Sequence, residues 1–168
     1  MKDTEYEKMI SIVNQTFPLK LKKDTLDFLL FLKDSGTESE RLYGYWKNQF
    51  YWMVSYQKEC VCYILLNGNG EERQFAPLTV WTDDSDSACY ENVLLRKELK
   101  LIALNHIDYC LNCGSCSGGT DRMLFGESYP SVCRTAMRFI NPNQADFQLL
   151  KMILKERMKY IENQKNID

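Results

Sequence analysis

The side chains able to do chemistry gather between positions 106 and 133. Residues 106–122 read His-Ile-Asp-Tyr-Cys-Leu-Asn-Cys-Gly-Ser-Cys-Ser-Gly-Gly-Thr-Asp-Arg. Cys110, Cys113 and Cys116 recur at three-residue intervals, His106 stands four residues before Cys110, and Cys133 follows further on. Borderline-soft cations such as zinc take thiolate sulfur and imidazole nitrogen in a tetrahedron. Thiols three apart, at a helix end entering a glycine turn, can aim at one point. The pattern therefore predicts a zinc site of Cys110, Cys113 and Cys116, with Cys133 or His106 as the fourth ligand. Four protein ligands would make it structural, whereas three and a water would make it catalytic. An iron–sulfur cluster is the less favoured variant. The ferredoxin run shares the two intervals but then needs a cysteine where Thr120 stands, and proline where Arg134 follows Cys133.

The second half of the run permits another chemistry. Cys116-Ser117-Gly118-Gly119-Thr120-Asp121-Arg122 resembles the phosphate-binding loop of cysteine-dependent phosphatases. There backbone N–H groups cradle phosphate, the thiolate attacks phosphorus and the arginine holds two oxygens. That resemblance covers seven residues, and the apolar strand before and helix after that the chemistry needs are missing. A redox pair at Cys113 and Cys116 lacks the same flanking elements. The plainest alternative makes the cysteines buried thiols in a turn and His106 a helix-end histidine. Both sharp chemistries need the sulfur of Cys116, and a metal-bound thiolate is a poor nucleophile. The sequence favours the metal.

The elements that must position this run are legible on either side. Thr4 and Glu7 form a capping box, and Tyr6, Met9, Ile10 and Val13 fall on one face of a helix over 4–14 that Pro18 ends. A buried helix follows over 24–34. Period-two stretches at 42–46, 50–56 and 60–66 and a segment at 77–82 predict an antiparallel meander, with a turn at 67–70. Cys60 and Cys62 share a face with Ile64 and read as small buried hydrophobes. Asp83, Asp84 and Asp86 are expected to be cap and first-turn charges of a helix over 90–107, with Val93, Leu94, Leu101, Ile102 and Leu104 facing inward. A strand over 132–140 and a final helix capped by Asn143 complete the chain. The expectation is an α+β domain over 1–168: a mostly antiparallel sheet of four to five strands with helices packed against it, in the order ααββββαβα.

Composition bounds the partners. A chain of 168 residues, 45% hydrophobic and 26% charged, buries a core without staples. A net charge of -2 supplies no electrostatic footprint for nucleic acid. No apolar run spans a membrane and no signal peptide is visible, so a cytoplasmic location is expected, with seven cysteines held as thiols or metal ligands. Tyr43, Tyr45, Trp46, Tyr51, Trp52, Tyr56, Tyr63 and Trp81 fall on the sheet. They suggest ordinary packing first, and a ligand- or partner-binding surface of a small-molecule regulatory module second.

From His106 onward, Cys110, the Cys113-Gly114-Ser115-Cys116 step, Phe125-Gly126, Val132-Cys133-Arg134 and Phe139-Ile140-Asn141-Pro142 resemble a family of small uncharacterised cysteine-containing proteins of anaerobic gut bacteria. Gly44-Tyr45-Trp46 and residues 78–83 extend the likeness upstream. The resemblance implies a bacterial cytoplasmic protein and transfers no catalytic role to any residue. The function expected is thus non-enzymatic metal binding, with an unknown small molecule or protein as partner.

Overall fold

A computed structural model of the chain describes residues 4–44, 49–68, 75, 77–114 and 116–167. The α+β class holds, but the sheet has seven strands, not four or five, and the element order is ααββββαβββα. Helices α1 (Thr4–Thr16) and α2 (Leu19–Asp34) come first. Tyr6, Met9 and Val13 of α1 and Phe28, Leu29 and Leu32 of α2 are buried at helical spacing, as the sequence pattern requires. Helix α2 begins earlier than expected because its first turns carry exposed Leu19 and lysines, which show no apolar period.

Strands β1 (Glu38–Tyr43), β2 (Phe50–Tyr56), β3 (Glu59–Leu66) and β4 (Leu78–Thr82) form an antiparallel meander. Tyr45 and Trp46, expected in the first strand, lie outside the described residues, as does the Asn69-Gly70 half of the expected turn. Trp52, Val54, Cys62, Ile64, Leu78 and Val80 pack with the helices. Tyr51, Leu65, Phe75 and Trp81 form a smaller cluster of their own. Helix α4 (Gln144–Lys165) starts with the capping box of Asn143 and Asp146 and buries Phe147, Leu150, Ile153, Leu154, Met158 and Ile161. Its Arg157, 3% exposed, donates from Nε and Nη2 to the Cys60 carbonyl at 3.2 Å each.

The additional strands surround the cysteine run. Helix α3 (Lys97–Leu104) is much shorter than the 90–107 segment expected. The carbonyls of Tyr90 and Glu91 accept from the N–H groups of Phe125 and Gly126, at 2.9 and 2.8 Å, so a hairpin turn takes groups a helix would have used. The helical phase shifts accordingly, and Leu94 and Leu101, expected inside, are exposed. After α3 come β5 (Ile107–Tyr109), β6 (Thr120–Leu124) and the 14-residue β7 (Glu127–Ile140). Phe125 and Gly126, both at positive φ, make the two-residue turn between β6 and β7.

Strand β7 serves three partners. Its C-terminal residues pair with β4, its N-terminal half with β6, and β5 pairs with it from Val132 to Met137. Arg138 directs its N–H to the His106 carbonyl while Trp81 pairs on its other side, and Val132 pairs with both Tyr109 and Thr120. Strands β4 and β6 therefore share one edge of β7, with a gap between them. Side chains fill it: Thr82 Oγ1 donates to the Thr135 carbonyl at 2.7 Å and Arg122 Nη1 to the Arg134 carbonyl at 3.3 Å. Arg122 Nη2 also pairs with Asp84, whose side chain is fully buried. Burial pushes the Asp84 carboxyl up, and the Arg122 guanidinium opposes it. Arg134 pairs with Asp86 at 2.8 Å in solvent. Of the three acidic residues expected to cap a helix, Asp84 and Asp86 thus hold arginines of the second hairpin, and Asp83 accepts the Ser85 N–H.

Among the described residues no helix is long and apolar enough to cross a membrane. Breaking the buried pair should cost far more than breaking the exposed one. Asp84→Ala strands the Arg122 charge and is expected to lower stability by about 3–5 kcal/mol. Arg134→Ala is expected to lower it by under about 1 kcal/mol. Urea denaturation of the two variants checks this, and equal shifts of the midpoint would contradict it.

Candidate functional site

Cys110 is the first residue beyond β5. Its N–H donates to the Ser131 carbonyl at 2.8 Å, which fixes it against β7. Residue 119 passes close on the other side, and only glycine fits there. A Cβ on Gly119 would lie 2.5 Å from the Cys110 Cβ and 2.7 Å from the Ser131 oxygen. Between these anchors Asn112 (φ 53°), Gly114 (φ 81°) and Gly118 (φ 109°) take positive φ, and none of the described residues there belongs to a helix or strand. Cys113 and Cys116 are exposed on this loop, while Cys133 is half-buried on β7.

Cys110, Cys113, Cys116 and Cys133 line one open depression of about 160 Å³, with Asn112 and Gly118 completing its wall. The four thiols the spacing singled out thus border the same open depression. Asn112 N–H donates to Cys110 Sγ at 3.4 Å, and Cys116 Sγ lies 4.0 Å from the Gly118 carbonyl. Burial pushes the Cys133 thiol up, and hydrogen bonds from Thr135 oppose that. Among the described residues, no three His, Cys, Asp or Glu side chains stand close enough to hold a metal ion together. Ser115 lies outside the described residues.

His106 is not brought to the thiols. The expectation placed it one helical turn before Cys110, but α3 ends at Leu104 and the intervening residues form β5. Four residues of strand do not return a side chain to the same point. The imidazole stacks on Phe139 with centroids 4.2 Å apart. Nε2 meets Asp146 Oδ1 at 2.8 Å, and Nδ1 meets the Arg138 carbonyl at 3.2 Å. With Asn105, Ile107, Arg138 and Ile140 it lines a separate depression of about 240 Å³. His106 ties the start of β5 to the start of α4.

A residue the sequence reading passed over sits beside the thiols. Asp108 is 4% exposed, accepts from Thr135 Oγ1 at 2.7 Å and faces Arg138 Nη1 at 3.5 Å. Burial pushes its carboxyl up, opposed by Arg138, Thr135 and the Cys133 thiol. The signal was present as a carboxylate between Ile107 and Tyr109, but it means burial only once 107–109 is known to be a strand.

The phosphatase-like half takes a different form. Arg122 lies on β6 with its guanidinium committed to Asp84 and the Arg134 carbonyl, so it is not presented to the loop. Cys60, Cys62 and Cys89 line neither depression; Cys62 is wholly buried, and burial pushes the Cys89 thiol up to about 12. The described sheet aromatics meet one another edge-on, Tyr51 with Tyr63 at 6.0 Å and Phe75 with Trp81 at 6.1 Å. No protein-family model, curated protein or solved structure matches the chain.

Gly119→Ala should force β5 and β7 apart at the depression. The expected cost is about 1–3 kcal/mol, the usual range for overpacking, together with faster alkylation of Cys133. A thiol-labelling time course followed by peptide mapping measures it. Unchanged labelling and stability would show that Gly119 is not needed for the close approach.

Proposed function

We propose that the thiol-lined depression is a soft-cation site, taking zinc first, and that the protein is a non-enzymatic metal-binding domain. The observation that carries this reading is the meeting of three loop cysteines with Cys133, which arrives from a different strand, on one depression. Four thiols are a donor set that zinc accepts as a closed structural site. Forming it requires the Cys113 and Cys116 thiols to draw inward, because the described donors do not share a point as placed. A metal that supplies binding energy only when its ligands converge couples loop folding to loading. His106 has no part in the set, being engaged by Asp146 and Arg138. The reading requires a compartment where thiols stay reduced, which makes the cytoplasm its natural setting. The resemblance to gut-bacterial proteins fits that setting and adds no residue role.

Elemental analysis of protein purified under reducing conditions is expected to find one zinc per chain. Cys116→Ser and Cys133→Ser should abolish stoichiometric loading, whereas His106→Gln should retain it. A chelator should lower the melting temperature of the loaded protein, since a structural zinc adds up to ~10 kcal/mol to folding. Absence of stoichiometric metal from the reduced, folded protein would overturn the reading.

A further inference from the structure

The four thiols of the depression are not equivalent. Cys110 is held by its own N–H on Ser131 and receives the Asn112 N–H at its sulfur. Cys133 lies in the ladder of β7, half-buried, where Tyr109 and Thr120 pair with its neighbour Val132 from both sides. Cys116 is exposed, and Gly118 and Gly119 lie between it and β6, with open space around Gly118. Cys116 and Cys133 line the same depression, one from the loop and one from β7. One is exposed on the loop; the other is half-buried in the sheet. That is the division between an attacking and a resolving cysteine.

We infer that Cys116 and Cys133 are an oxidation site for small peroxides, closing to a disulfide that removes two ligands from the thiol set. The oxidant is a hydroperoxide, hydrogen peroxide being the simplest. The Cys116 thiolate attacks the near oxygen, the O–O bond breaks, and the departing hydroxide takes a proton to leave as water. Cys116 is then a sulfenic acid. The Cys133 sulfur attacks the Cys116 sulfur, the S–O bond breaks, and the Cys133 proton leaves with the hydroxide as a second water. Two thiols lose two electrons, and one peroxide is reduced to two waters. A thiol reductant reverses the bond by exchange. The consequence for metal rests on the proposed function: two of four ligands become a disulfide, so the oxidised chain does not hold zinc. The disulfide itself does not depend on that reading.

The test uses the reduced, metal-free full chain and near-stoichiometric hydrogen peroxide. Peptide mapping without reductant is expected to find Cys116 joined to Cys133. Cys133→Ser should instead accumulate a sulfenic acid at Cys116, trapped by a 1,3-dione, and Cys116→Ser should form no link to Cys133. The oxidised wild type should take up no zinc until a thiol reductant restores it. A link between Cys113 and Cys116, or a sulfinic acid on Cys116 with Cys133 still a free thiol, would overturn the inference. Zinc loading without any link from Cys116 to Cys133 would sink the oxidation site and spare the metal reading. The link without zinc uptake by the reduced chain would do the reverse.

Discussion

The pairing of Arg122 with Asp84 ties the cysteine-bearing hairpin to the meander across the gap that β4 and β6 leave on one edge of β7. Two strands ending on the same edge leave carbonyls between them without a ladder partner, and an unmet buried carbonyl costs about 1–3 kcal/mol. Arg122 meets the Arg134 carbonyl and Thr82 meets that of Thr135, so the gap is bridged by side chains rather than by strand. A guanidinium can take this place only with its charge met, and the buried Asp84 carboxylate meets it. The pair stabilises a particular arrangement of two hairpins more than it adds to overall stability.

The thiol site follows from that arrangement. With β6 and β7 seated, β5 lies on the far edge of β7 and ends at Tyr109, one residue before Cys110 meets Ser131. The chain must then return past Cys110 to start β6, and it clears that point only because residue 119 has no side chain. The result is a loop held at Cys110 and at Gly119. Cys110 and Cys133 lie against the sheet, whereas Cys113 and Cys116 are exposed on the loop. On the proposed reading, the two sheet-side thiols are already held and the two loop thiols are drawn either to a cation or to a neighbouring sulfur. These outcomes exclude one another because they use the same thiols.

His106 shows how a correct spacing can carry the wrong geometry. Its position before Cys110 matches a helical turn, and the apolar residues upstream keep helical period. What intervenes is a tertiary event: Phe125 and Gly126 dock on the carbonyls of Tyr90 and Glu91, the helix starts late, and it ends before His106. Beyond Leu104 the chain is recruited as an edge strand by β7, and the histidine turns to Asp146 and Phe139. Asp84 and Asp86 were misassigned for the same reason. Without the helix they were expected to cap, both pair with arginines of the later hairpin.

Local physics was enough for much of this chain. The two N-terminal helices, the meander, the capped C-terminal helix and the α+β class follow from hydrophobic period, Pro18 and the Asn143 cap, all of which act within a few residues. The clustering of the cysteines is likewise local, since three thiols at regular intervals are visible before any folding. Only the tertiary structure decided which side chains share the site. Strand β6 carries a weak pattern of its own and exists because β7 offers it an edge. Cys133 reaches the other thiols through that pairing, His106 leaves them through another, and Asp108 becomes buried through a third. Ladder partners are chosen by long-range contact, and no spacing along the chain records that choice.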